Sequence, residues 1–127
     1  MKRLFLFVIT LLLLFTGCTG DSSVSTFTQI SQDEAKKMMD TQNVIILDVR
    51  EQYEFEEGHI PEAVLFPLGS IAEDTATEMI PTKDSVVLVY CRSGNRSKTA
   101  SQKLVELGYT AVYEFGGITT WPYEVVK

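Results

Sequence analysis

The sequence predicts an α/β fold built on a mainly parallel sheet. Two observations carry this. Val44 to Val49 and Val86 to Tyr90 are near-continuous apolar runs, broken only by Asp48. Strands apolar on both faces belong to parallel sheets covered by helices on each side. Helical patterns also alternate with strand patterns along the chain, as βα units require. At 127 residues, there is room for one such domain.

In order, Ser31-Gln32-Asp33-Glu34 is a capping box, with Ser31 as N-cap and Glu34 at the third helical position. A helix is expected from there to Asp40, burying Ala35, Met38 and Met39. Val44 to Val49 is the first buried strand. Gln52 to Glu57 is a short charged helical turn ended by Gly58, and Ala63 to Phe66 a short strand. Ser70 to Met79 is a weak helix closed by Pro81. Val86 to Tyr90 is the second buried strand. Ser97 to Leu107 is the clearest helix: Ala100, Leu104 and Leu107 share one face, and Gly108 stops it. Ala111 to Phe115 is a strand, Gly116-Gly117 a turn, and Ile118 to Trp121 a final short helix cut by Pro122.

The N-terminus reads as a secretion signal. Met1-Lys2-Arg3 is positive, and Leu4 to Phe15 is apolar apart from Thr10. A spanning helix needs about 20 apolar residues, so this run is short for one. Phe15-Thr16-Gly17-Cys18 resembles a bacterial lipobox, which implies cleavage before Cys18 and a diacylglyceryl group on its sulfur. The alternative is an ordinary signal or an uncleaved anchor. The expected organisation is a signal peptide over 1–17, a lipidated polar tether over 18–27 and a folded domain over 28–127. Cleavage removes Lys2 and Arg3 and moves the formal net charge from -6 to -8. So acidic a domain is not a nucleic-acid binder, and its membrane contact is expected through lipid on Cys18.

Only two cysteines are present, Cys18 and Cys91. Lipidation of the first leaves the second as a free thiol in an oxidising location, a hazard unless it is used. Cys91 ends an apolar strand and is followed by Arg92-Ser93-Gly94-Asn95-Arg96-Ser97. Ligands collect at the carboxyl ends of strands in such sheets. Loop amides, a helix N-terminus opening at Ser97, and Arg92 and Arg96 all favour a thiolate there. Gly94 permits a tight loop whose N–H groups point inward. A free cysteine at a strand end is commonly buried and inert, but these neighbours are poor company for an inert core site.

These residues resemble the rhodanese-like sulfurtransferases. The matching segments are Leu47-Asp48-Val49-Arg50, Gly58-His59-Ile60-Pro61-Glu62-Ala63, Val89-Tyr90-Cys91-Arg92-Ser93-Gly94-Asn95-Arg96-Ser97, Leu107-Gly108-Tyr109 and Gly116-Gly117-Ile118-Thr119-Thr120-Trp121. The resemblance implies a three-layer fold with a central, mostly parallel five-stranded sheet flanked by helices. It also implies a cycle in which Cys91 takes a sulfane sulfur from thiosulfate or polysulfide and passes it to a thiol, cyanide or protein thiol acceptor. Residues Arg92, Ser93, Gly94, Asn95, Arg96 and Ser97 are then the substrate-binding loop. Cell-cycle-type dual-specificity phosphatases share this fold but carry a Cys-x5-Arg loop. Here four residues separate Cys91 from Arg96, which suits one sulfur atom better than a phosphate. A non-catalytic polysulfide- or protein-binding module is the alternative.

Several residues keep two readings. Arg92 either holds the anionic donor or is a solvated surface charge. Arg96 either contacts substrate or clamps the loop. Arg50 either faces the pocket as an anion ligand or pairs with Asp48 or Glu51. Asp48 is expected to tie its strand end to a neighbouring loop. His59, the only histidine, is expected to be structural, and Trp121 to pack on the core. The family usually has Gly where Glu62 stands. Relatives often continue past Lys127, so a short last helix and an open pocket are expected. No metal site or cofactor is expected, since one His and one available Cys make no zinc constellation. The domain is expected to be a monomer.

Overall fold

The computed structural model describes Gly17 and residues 25–127. The apolar signal segment, Cys18 and the tether as far as Val24 lie outside the described residues. Among the described residues, no helix is long and apolar enough to cross a membrane.

Five parallel strands form one sheet in the order β1-β5-β4-β2-β3: β1 Thr28–Gln29, β2 Ile45–Asp48, β3 Val64–Leu65, β4 Val86–Cys91 and β5 Ala111–Gly117. Four helices connect them: α1 Gln32–Thr41, α2 Gln52–Glu57, α3 Glu73–Met79 and α4 Asn95–Glu106. Turns of 3-10 helix lie at Leu68–Ser70 and Ile118–Thr120. From β2 the chain moves outward to β3, and from β4 outward the other way to β5. The order therefore reverses between β2 and β4, and ligand crevices form outside strand ends at such a point.

Period-2 alternation divides the core into two layers. Val87, Val89 and Cys91 of β4 join Ala76 of α3, Ile80 just after it, and Ala100 and Leu104 of α4 on one face. Leu88 and Tyr90 join Ala35 of α1, Ile60, Phe115 and Trp121 on the other. Cys91 faces α4 because it is an odd-numbered residue of this strand.

Ser31 caps α1 with a complete capping box, as expected. Four local expectations differ. The sequence marks no strand at Thr28–Gln29, yet both residues pair with Tyr113 and Glu114 of β5. α3 starts at Glu73, because Leu68–Ser70 turns separately. α4 starts at Asn95, because Gly94 rather than a Ser or Thr is its N-cap. Gly116 and Gly117 are not a free turn: they end β5, where Cys91 pairs with Gly117 after a register shift. Glu62 has φ +68. That left-handed conformation costs an L-residue about 1 kcal/mol and is one that glycine adopts without strain.

Candidate active site

Strand β4 delivers Cys91 to the α4 side of the sheet at 1% exposure. Arg92 and Ser93 then pass over it, both exposed. Gly94 reverses the chain at φ +110, which suits a residue without Cβ. Its N–H donates to Cys91 Sγ at 3.0 Å. Asn95, exposed, opens α4. Ser97, the third helical residue, is fully buried, with Oγ 3.3 Å from Cys91 Sγ. The loop thus wraps backbone donors and the first turn of a helix around one sulfur.

Strand β5 fixes that wrapping from beneath. A Cβ on Gly117 would lie 2.0 Å from the Arg92 carbonyl oxygen and 2.5 Å from the Ser93 nitrogen. Only glycine admits so close a backbone approach. Thr119 donates from its backbone N–H and its hydroxyl to the same Arg92 oxygen, at 3.2 and 3.0 Å.

The charged residues divide clearly. Arg96 forks onto Glu54 of α2, with Nη1 to Oε2 at 2.7 Å and Nη2 to Oε1 at 2.9 Å. The same carboxylate accepts the Glu51 N–H at 2.9 Å. Arg96 hydrogen bonding dominates over burial and holds the Glu54 carboxyl down to about 2. Of the two readings of Arg96, these contacts favour the clamp. Arg50 is buried and holds Asp48 through Nε and Nη2, while Nη2 also donates to the Gly58 carbonyl at 2.7 Å. Asp48 further accepts the Tyr90 hydroxyl at 2.7 Å, and that hydroxyl accepts the Ile60 N–H at 3.1 Å. Burial opposes the charge on Arg50, but Asp48 outweighs it and holds the guanidinium up. This guanidinium is committed to the ends of β2 and α2 rather than presented to an anion in the loop. Arg92 is different: it is exposed and has no carboxylate partner among the described residues.

Burial pushes the Cys91 thiol up. Against it act the Ser97 hydroxyl, when its proton points at sulfur, and the N–H groups of Ser97, Gly94 and Ser93. The balance lies below the ordinary thiol value. The arrangement can therefore present a thiolate, and a second sulfur bonded to it, to converging N–H donors. His59 stacks on Phe55 and pairs through its backbone with Val126, away from this chemistry. Trp121 packs against Phe115 in the opposite core layer.

Two site residues escape the sequence motifs. Glu54 looks like one more charge in a charged helix until α4 brings Arg96 to it. Glu114, 2% exposed, lies beneath the loop with Oε1 2.7 Å from Ser97 Oγ. Its only mark in the sequence is a carboxylate inside an apolar strand, the same signal that singles out Asp48.

Residues 31–123 match the family model described as a Rhodanese-like domain. The chain is 36% identical over 96 residues to thiosulfate sulfurtransferase GlpE of Coxiella burnetii, covering 75% of this chain and 87% of that protein. It is 37% identical over 92 residues to a sulfurtransferase of Allochromatium vinosum, covering 72% and 83%. Among solved structures, it is similar to a rhodanese with anions from E. coli (TM-score 0.62, 30% identity, 67% of this chain and 99% of that one). SSP1007 of Staphylococcus saprophyticus matches with TM-score 0.69 at 28% identity, covering 80% and 100%.

Proposed function

The chain belongs to the rhodanese-like family, and from that premise we propose that it is a sulfurtransferase working through a persulfide on Cys91. The observation that carries this is the buried Cys91 sulfur at the end of β4, wrapped by a loop whose Gly94 N–H reaches it at 3.0 Å. The Cys91 thiolate attacks the outer sulfur of a donor such as thiosulfate. The bond between that sulfur and the sulfonate breaks, sulfite leaves with the electron pair, and a persulfide remains. A thiol, cyanide or protein thiol then attacks the outer sulfur, and Cys91 leaves again as thiolate. The loop N–H groups stabilise charge on the terminal sulfur at no reorganisation cost. Arg92, exposed and without a carboxylate partner among the described residues, is the cation that meets a dianionic donor.

The test is sulfite release from thiosulfate with cyanide as acceptor, using the full chain in detergent. Parallel double-reciprocal lines are expected, and Cys91→Ser is expected to abolish release. Release undiminished in that variant overturns the reading. A chain that accepts sulfur once without turning over is a carrier instead.

The placement of this chemistry rests on the sequence. The lipobox-like Phe15 to Cys18 supports a lipid anchor on Cys18 and a position outside the cytoplasm. Cys18→Ala is expected to release the domain from membranes. A variant that stays membrane-bound at its full uncleaved mass contradicts the anchor. The domain is read as a monomer, to be checked by sedimentation.

A further inference from the structure

Glu114 is a buried carboxylate that no cation neutralises among the described residues. β5 turns it to the same face as its register partner Val89, toward α4 and beneath the Cys91 loop. Its donors are Ser97 Oγ at 2.7 Å, the Gly116 N–H at 2.8 Å and Gln29 Nε2 at 3.3 Å. All are neutral. Burying a charge on neutral donors is costly, so a carboxylate kept there calls for a role.

Ser97 has one proton and several claimants. The carboxylate oxygen is at 2.7 Å, the Gly94 carbonyl at 3.0 Å and Cys91 Sγ at 3.3 Å. A charge-assisted O–H bond at 2.7 Å is the strongest of these. We propose that Glu114 is a positioning residue for Cys91, acting through Ser97: it takes the hydroxyl's one proton, so Ser97 turns a lone pair rather than a donor toward the sulfur. The chain then reads Cys91 S–H to Ser97 Oγ, and Ser97 O–H to Glu114 Oε1. The thiol form is favoured by that lone pair, and the thiolate is left to the backbone N–H groups alone. A second anion two hydrogen bonds away also opposes thiolate charge.

The consequence, which rests on the sulfurtransferase reading, concerns how long sulfur is held. A more basic thiolate is the stronger nucleophile toward a sulfane sulfur and the poorer leaving group when an acceptor takes it. Glu114 therefore biases Cys91 toward keeping its sulfur. Other charged groups around the site are Arg92 on the loop, the Arg96–Glu54 pair from α4 and α2, and the Asp48–Arg50 pair at the end of β2. Lys98 lines the same open cleft as Glu114 and Gly94.

The pH dependence of Cys91 alkylation by iodoacetamide, followed by peptide mass in the full chain, tests the proton assignment without any sulfur donor. Glu114→Gln is expected to move the midpoint down by about one pH unit, through loss of a like charge and release of the hydroxyl. Ser97→Ala is expected to leave the midpoint unchanged or slightly lower. A midpoint that rises in Ser97→Ala shows that the hydroxyl donates to the thiolate and overturns the proposal, as does an unmoved midpoint in folded Glu114→Gln. If Glu114→Gln fails to fold by circular dichroism, the sign of the Ser97→Ala change decides alone. Persulfide loaded from polysulfide is expected to decay to dithiothreitol about three-fold faster in Glu114→Gln. Midpoints that move as stated in a chain that never transfers sulfur defeat the sulfurtransferase reading and leave this one standing. Transfer with unmoved midpoints does the reverse.

Discussion

Replacing Glu54 by Gln removes the carboxylate that anchors Arg96, and with it the first turn of α4, to α2. The Glu54 carboxyl is held down to about 2 from 4.5, chiefly by the Arg96 hydrogen bonds and against the effect of burial. At 1.36 kcal/mol per pH unit that difference is about 3 kcal/mol. The Arg96 side chain is 33% exposed, so solvent screening reduces it to about 2 kcal/mol. The sign follows from the lowered value. The folded state binds the proton less well than the unfolded chain, so the stabilisation is complete above pH 4.5. It is lost as pH falls from there toward 2. Urea denaturation of wild type and Glu54→Gln should differ by about 2 kcal/mol at pH 7, and the difference should close by about pH 2. A gap of equal size at both ends of this range refutes the ion-pair account. It would assign the cost to packing or to the Glu51 cap instead.

Three further predictions follow from packing around the site. Gly117→Ala forces a Cβ into the Arg92–Ser93 peptide, so the loop must move by about 1 Å. Sulfur transfer should fall about 100-fold, measured as sulfite release, and an unchanged rate contradicts the close approach. Asp48→Asn strands the buried Arg50 charge and should cost about 3 kcal/mol by chemical denaturation. A loss below about 1 kcal/mol means that Arg50 finds solvent or another partner. Ser101 Oγ is buried in α4 without a hydrogen-bond partner among the described residues. Ser101→Ala should therefore be neutral or raise stability by about 1 kcal/mol, whereas clear destabilisation points to a partner for the hydroxyl.

What the sequence disclosed was whatever is written locally. The apolar runs that became β2 and β4 follow from burial on both faces, and the capping box at Ser31 from side chains three residues apart. The loop from Cys91 to Ser97 was legible because a thiol, a glycine and a helix start are contiguous. Contacts made across the fold were hidden. β1 is two exposed residues whose strand character exists only in pairing with β5. Arg50 could serve an anion or Asp48, and only the sheet's geometry turns both Nε and Nη2 onto the carboxylate. Glu54 and Glu114 come to the loop from 42 and 17 residues away, so no motif at Cys91 contains them. Gly116 and Gly117 read as a turn because glycine pairs usually are. Here they let β5 carry an irregular register and pass under Arg92.

The central claim is that one sulfur atom resides covalently on Cys91 between donor and acceptor. Intact-mass measurement of the full chain after polysulfide or thiosulfate, with excess donor removed, tests it most directly. The predicted result is a gain of one sulfur atom in wild type, located on the Cys91 peptide, reversed by cyanide or thiol and absent from Cys91→Ser. An unchanged wild-type mass with both donors, or the same gain in Cys91→Ser, contradicts it.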